Sequence, residues 1–148
     1  DMASRLGLDD LVRFHGAIPN DQVLKEMRRH KIFLFTSDRF EGWGAVANEA
    51  MSQGCALVGS DAIGSVPYLV DNCRNGMIFK SEDVDSLTDC VRTLIENRSL
   101  LEDIRHNAVK TMQTMWSPAV AARNLLKLID DIKNGRPCSI KEGPCSKA

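Results

Sequence analysis

Glu41 and Glu49 are the residues of this chain whose type and spacing most invite chemistry. They stand eight positions apart in "DRFEGWGAVANEAMSQG", residues 38–54, with a Gly42-Trp43-Gly44 turn between them. The preceding "IFLFTS" reads as a buried strand, and the stretch from about Trp43 or Gly44 onward reads as a helix. The loop between them leaves the C-terminal end of a strand, where open α/β sheets take their ligands. Free N–H groups of a first helical turn, at the positive end of its dipole, favour an anion, and glycines let that anion approach the backbone. A phosphate suits this position. Glu49 shares a helix face with Ala45 and Val46, and helical side chains lean toward the N-terminus, so its carboxylate belongs near the first turn. A carboxylate beside phosphate is tolerated where it accepts hydrogen bonds from hydroxyls, as the vicinal pair of a ribose would donate. Glu41, across the helix start, can serve a second polyol in the same way. Polyol, phosphate and ribose in that order describe a nucleotide sugar. The plainer alternative is a solvated helix glutamate and a helix-entry acid, each without a ligand.

The elements that would position this segment alternate in kind. Short apolar runs read as buried strands: "LVRFHG" (11–16), "KIFLFTS" (31–37), "CALVGS" (55–60) and a weaker "GMIFK" (76–80). Amphipathic stretches lie between them at 21–30, 43–54 and 65–72. Strand and helix alternating with short loops make a parallel sheet covered on both faces, an α/β doubly wound fold. After residue 80 only helices are expected: 84–98, one opened by a capping box "SLLE" at 99–102, and one over 118–133. The last has Ser117 as N-cap, Pro118 in its first turn, Asn134-Gly135 at its end, and Leu125, Leu128, Ile129 and Ile132 on one face. Residues 1–134 are thus expected as one domain and 135–148 as a flexible tail. The chain opens on "DMASRLGLDD", which reads as a helix end and turn, so an upstream strand is expected to be missing from these residues.

Composition narrows the class. With 148 residues, 43% hydrophobic and 26% charged, the chain has the balance of a globular domain that buries roughly 70% of its unfolded surface. A formal charge of −1 offers no reason to expect nucleic acid or anionic lipid as main partner. No apolar run approaches the roughly 18 residues of a membrane span. The five cysteines form no CxxC pair, and Cys55 and Cys90 lie in apolar stretches. Reduced thiols of a cytoplasmic protein fit this better than a disulfide framework or a zinc site.

"EGWGAVANEAMSQGCALVGSDAIGSVPYLV" resembles the E-G-[FW]-G-x4-E-A-[MA]-x2-G-x-[PA]-[VL]-V segment of GT-B retaining glycosyltransferases, family 4. "VRFHGAIPNDQVLKEM" is similar to the family's strand-loop-helix before it, and "GMIFKSEDVDSLTDCVRTLIEN" to the segment after it, so the resemblance covers about residues 5–133. It implies a Rossmann-like donor-binding domain, the C-terminal half of a GT-B fold, with the acceptor-binding N-terminal domain absent from this chain. It implies transfer of a sugar from a UDP- or GDP-sugar with retention of configuration, in cell-surface polysaccharide or glycolipid synthesis. The full-length enzyme would work in the cytoplasm, with possible peripheral membrane contact, and this fragment alone would be inactive.

By the same resemblance Glu41 would hold hydroxyls of the transferred sugar as the catalytic-site acid. The backbone N–H groups of Gly42, Trp43, Gly44, Ala45 and Val46 would hold the diphosphate, Glu49 the ribose, and the backbone at Ala17 and Ile18 the nucleobase. No cofactor and no metal are implied, and no histidine cluster has ligand spacing. Two departures stand out. Where the family often shows G-G-x-P-E, this chain has Gly64-Ser65-Val66-Pro67-Tyr68. The family's Arg/Lys pair for the diphosphate is not in these residues, and Arg5 is too near the start to supply it.

Other readings of the pattern are a GT-B epimerase or phosphorylase relative, a dinucleotide-binding Rossmann module, and a receiver-like α/β module. The second lacks G-x-G-x-x-G after its first visible strand. The third needs an acidic cluster that Asp38 and Asp61 alone do not make. Hydrolysis by Glu41 and Glu49 would need two carboxyls flanking a scissile bond. His15 is expected on a core strand, His30 and His106 on polar helix faces. "RRHK" at 28–31 reads as cations suited to a helix C-terminus, and Trp116 as a packing residue before the last helix.

Overall fold

The computed structural model describes residues 2–146. Three parallel strands make the sheet, in the order β1 (Ile32–Phe35), β2 (Ala56–Ser60), β3 (Gly76–Phe79). Ile32 pairs with Ala56 and Leu57 with Gly76, each pairing running in register to the strand ends. Seven helices accompany them among the described residues: α1 (Met2–Arg5), α2 (Asn20–Arg29), α3 (Val46–Ser52), α4 (Val66–Leu69), α5 (Val84–Glu96), α6 (Arg98–Thr114) and α7 (Pro118–Lys133).

All five residues of β2 are buried, as an unbroken apolar run covered on both faces should be. Its side chains alternate between two cores. Leu57 joins Phe35, Met51, Ile63, Val66 and Leu69 on the side of α3 and α4, whereas Ala56 and Val58 join Met77, Phe79, Cys90 and Leu94 on the side of α5. Helix α6 serves both cores, Leu101 and Ile104 in the second, Ala108 and Met112 in the first. The doubly wound α/β reading holds.

The expected strand at 11–16 does not form. These residues are turn and coil without a strand partner, with the Leu11 and Val12 N–H groups donating to the Leu8 carbonyl and Leu11, Val12 and Phe14 all exposed, Phe14 to 75%. A strand is stable only with a neighbour for its N–H and C=O groups, and β1 does not reach this segment. His15 is therefore an exposed coil residue and not a core one.

Smaller shifts have local causes. Helix α3 starts at Val46, two or three residues after the expected point, because Gly44 takes a left-handed φ of 70°. Asn97 caps α6, accepting from Leu100 N–H at 3.0 Å, so Ser99 lies inside the helix and is not its cap. Ser117 does cap α7, accepting from Val120 N–H at 3.3 Å, with Pro118 first in the helix. Yet the apolar face of α7 is largely uncovered among the described residues: Leu125, Ile129 and Ile132 are exposed and Leu128 half-buried, and the buried residue of that helix is Asp131.

Asp131 anchors the segment after α7. It accepts from Ser139 Oγ (2.6 Å), Ser139 N–H (3.0 Å) and Arg136 Nε (3.2 Å). Residues 136–146 contain no helix or strand, but Ile140 is buried and Asn124 donates to the Pro144 carbonyl at 2.9 Å. The "RRHK" cations are all partnered: Arg28 with Gln53, Arg29 with Glu26, His30 with the Glu26 carbonyl and Lys31 with Glu102. Cys55 and Cys90 are buried and reduced, and burial raises both thiol pKa values.

Candidate functional site

The loop of interest leaves β1 at Phe35 and enters α3 at Val46. Its shape is set by close backbone packing. A Cβ on Gly44 would lie 2.6 Å from the Phe35 ring and 3.2 Å from Glu41 Cγ. A Cβ on Gly64, in the loop after β2, would lie 2.2 Å from the Gly42 carbonyl oxygen. Two glycine-containing loops thus meet at the C-terminal ends of β1 and β2, where a side chain at Gly64 would hold them apart, while one at Gly44 would collide with the strand its own loop leaves.

Helix α3 has no side-chain N-cap; its cap position is Ala45. The N–H groups of Gly42, Trp43, Gly44, Ala45 and Val46 have no hydrogen-bond acceptor among the described residues. Ala45 is exposed and Val46 and Gly44 are half-buried, so these donors lie at the surface. Orphan donors at a helix start are satisfied by side chains, water or a ligand. Here the chain provides no side chain.

The two glutamates flank this row. Glu41 is half-buried and accepts a long hydrogen bond from Ser37 Oγ at 3.4 Å, while its N–H donates to the Asp38 carbonyl at 3.1 Å. Glu49 is half-buried on α3, between the buried Ala47 and Ala50, and its carboxylate has no hydrogen-bond or ion-pair partner among the described residues. Both retain free acceptor capacity.

Trp43 is held firmly. Its indole N–H donates to Asn48 Oδ1 at 2.8 Å, and its ring lies 6.0 Å from Tyr68 and 5.4 Å from Trp116. Asn48 in turn donates to Met112 Sδ at 3.7 Å, tying α3 and the loop to α6. Gly42, Trp43, Gly64, Tyr68 and Trp116 line one pocket of about 420 Å3, closed on one side by the Gly143–Ser146 stretch. Sequence reasoning passed over Asn48, and gave Tyr68 attention only as a missing acid; its ring is here a wall beside the turn. Trp116 packs as expected, but against the loop's own tryptophan. Phe40 stands out in solvent under Arg39, 5.2 Å away.

Ala17 and Ile18 are placed elsewhere. Ala17 is exposed, and Ile18 lines a separate gap beside β1. So Glu41, Gly42, Trp43 and Gly44 come together with Gly64 and Tyr68, Ala45, Val46 and Glu49 continue the same loop and helix, and the 17–18 backbone does not share their pocket.

Residues 1–111 match the family described as "Glycosyl transferases group 1". The chain belongs to that family. Among curated relatives, the D-inositol 3-phosphate glycosyltransferase of Corynebacterium kroppenstedtii is 26% identical over 144 residues, 97% of this chain and 30% of the relative. Among solved structures, the C-terminal domain of the group 1 family protein LpcC from Francisella tularensis superposes with a TM-score of 0.70 at 26% identity, over 76% of this chain and 57% of that one. Anabaena Alr3699/HepE, solved with UDP, gives 0.67 at 28% identity over 75% of this chain and 30% of its own. The chain therefore spans about a quarter to a third of the length of its glycosyltransferase relatives. The α/β fold with its parallel sheet matches the C-terminal domains of GT-B proteins.

Proposed function

We propose that these residues form the donor-binding part of a glycosyltransferase that moves a sugar from a nucleoside diphosphate sugar to an acceptor with retention of configuration. The observation that carries this reading is the row of unpartnered N–H groups from Gly42 to Val46 between two carboxylates with free acceptor capacity. The N–H row would hold the diphosphate, Glu49 the ribose hydroxyls and Glu41 hydroxyls of the transferred sugar. Developing charge on the leaving diphosphate is where such a reaction gains rate, and preorganised donors act there. Support comes from the group 1 membership and from a structural relative whose complexes contain UDP and UDP-glucose. The Ala17–Ile18 backbone would meet the nucleobase only if base and diphosphate occupy two separate hollows.

The full enzyme would work at the cytoplasmic face of a membrane on cell-surface polysaccharide or glycolipid, its acceptor held by residues outside this chain. We assign it no resident cofactor and no metal, since backbone donors and cations from elsewhere in the protein would meet the diphosphate charge. This chain alone would bind donor and turn nothing over.

Calorimetry with UDP, GDP and their sugars tests the division of labour. Glu49→Ala should weaken every nucleoside diphosphate by about 1–3 kcal/mol, the range for charged hydrogen bonds. Glu41→Ala should leave the bare diphosphate unaffected and weaken only its sugar adduct. Equal losses for both ligands would overturn the assignment.

A further inference from the structure

The segment after α7 lies across the aromatic wall without packing tightly on it. Residues 139–146 border hollows of about 420, 380 and 490 Å3, the first of them shared with Gly42, Trp43, Tyr68 and Trp116. Folded interiors hold few voids larger than a water molecule, so this strap rests on a small number of contacts. Ser139 is held by Asp131, Ile140 is buried, and the Pro144 carbonyl accepts from Asn124. Against these stands the Trp116 indole N–H, which is buried and has no acceptor among the described residues. A buried donor left without an acceptor is a standing cost, relieved wherever water reaches it.

Two cysteines bracket the strap. Cys138 precedes the anchored Ser139, and Cys145 follows the anchored Pro144. Gly143 at φ 77° and Cys145 at φ 68° both take the left-handed region and turn the chain back on itself. The Cys138 Sγ–H consequently donates to the Cys145 carbonyl at 3.6 Å. Both thiols are free and half-buried, whereas Cys55 and Cys90 are buried and Cys73 is exposed. A sulfur in contact with its partner's backbone needs side-chain rotation and a small adjustment of the strap, not refolding, to meet the partner's sulfur.

We propose that Cys138 and Cys145 are a reversible dithiol–disulfide pair whose oxidation latches the strap over the aromatic pocket. The oxidant is a low-molecular-weight disulfide of the glutathione class. One cysteine thiolate attacks it, forming a mixed disulfide and releasing one small thiol. The second thiolate attacks the protein sulfur of that bond and releases the other. The protein pair gives up two electrons and two protons, and both end on the two small thiols. Closing the ring from 138 to 145 removes freedom that the strap gains on lifting, so the oxidised chain keeps it seated. A pair of this kind senses redox conditions and is not a structural staple. The latch needs no nucleotide and is independent of the donor reading, although it closes a pocket that Gly42 and Trp43 share.

The test equilibrates the 148-residue chain with a fixed ratio of oxidised to reduced glutathione, folded and in denaturing urea, then alkylates free thiols and maps the chain with trypsin. Lys141 lies inside the ring, so the linked pair appears as the two peptides on either side of Lys141 joined by a disulfide. The ratio of linked to unlinked chain should be about tenfold or more higher in the folded protein than in urea. Limited trypsin cleavage at Lys141 in the folded protein should slow by about tenfold or more on oxidation. Acrylamide quenching of Trp43 and Trp116 should fall with it, and dithiothreitol should reverse both changes. Cys138→Ser and Cys145→Ser should each stop at a glutathione mixed disulfide and show neither change. The proposal is overturned if the linked ratio is no higher in the folded protein than in urea. It is overturned equally if Cys73 takes up glutathione while 138 and 145 stay unlinked, if the link forms without slowing cleavage, or if either serine variant gains the same protection.

Discussion

Gly44→Ala is the substitution whose cost the geometry defines most closely. The residue sits at φ 70°, and its new Cβ would stand 2.6 and 2.7 Å from two carbons of the Phe35 ring. Holding a residue with a Cβ in the left-handed region costs about 1–2 kcal/mol. Phe35 is buried in the core with Met51 and Leu57, so its ring has nowhere to swing, and overpacking adds about 1–3 kcal/mol. The sum is about 2–5 kcal/mol, a large part of the usual stability of a domain. With a mid-range urea slope of about 2 kcal/mol per molar, the unfolding midpoint should fall by about 1–2.5 M. Gly42→Ala is the matched control: its φ is not left-handed and a Cβ there meets nothing within 4 Å. It should stay within about 0.5 kcal/mol of the parent. Urea titrations followed by far-ultraviolet circular dichroism measure both. If Gly44→Ala unfolds at the parent's midpoint, or if Gly42→Ala loses as much as Gly44→Ala, the steric account of this turn is wrong.

Asn48→Ala should cost about 1 kcal/mol and shift tryptophan emission to the red, because the Trp43 indole N–H loses its acceptor. The Ser139 hydroxyl and N–H, and then Arg136, lower the Asp131 pKa, so this carboxylate stabilises the fold above its ordinary value of 3.8 and the contribution is lost as pH falls through its lowered value. Urea midpoints measured on both sides of that pH should fall more steeply for the parent than for Asp131→Asn, and limited trypsin digestion should cut at Arg136 sooner in the variant. Cys73 is exposed whereas Cys55 and Cys90 are buried, so a thiol reagent should label Cys73 in the native protein and those two only on unfolding. Leu94→Ala should cost about 2–5 kcal/mol, as expected for a fully buried leucine, while Leu126→Ala on the exposed face of α7 should cost far less, and thermal melts rank the two.

Local patterning settled much of this protein. Apolar runs at 32–35, 56–60 and 76–79 became parallel strands in order, because short buried runs separated by amphipathic stretches have few other ways to hide both faces. Gly42-Trp43-Gly44 became the turn before α3, and Ser117-Pro118 started α7, because caps and glycine turns are decided within a few residues. Three matters needed the tertiary arrangement. Residues 11–16 carry a strand's composition yet stay coil, since pairing depends on a neighbour and not on the segment itself. The apolar stripe of α7 lies largely uncovered among the described residues, since amphipathicity states that a face is apolar and says nothing of what covers it. The wall of Trp43, Tyr68 and Trp116 joins residues from three separate parts of the chain, and no spacing rule reaches across such distances. Hydrogen bonds within a turn are local and legible in sequence; contacts between distant elements exist only once the chain has closed on itself.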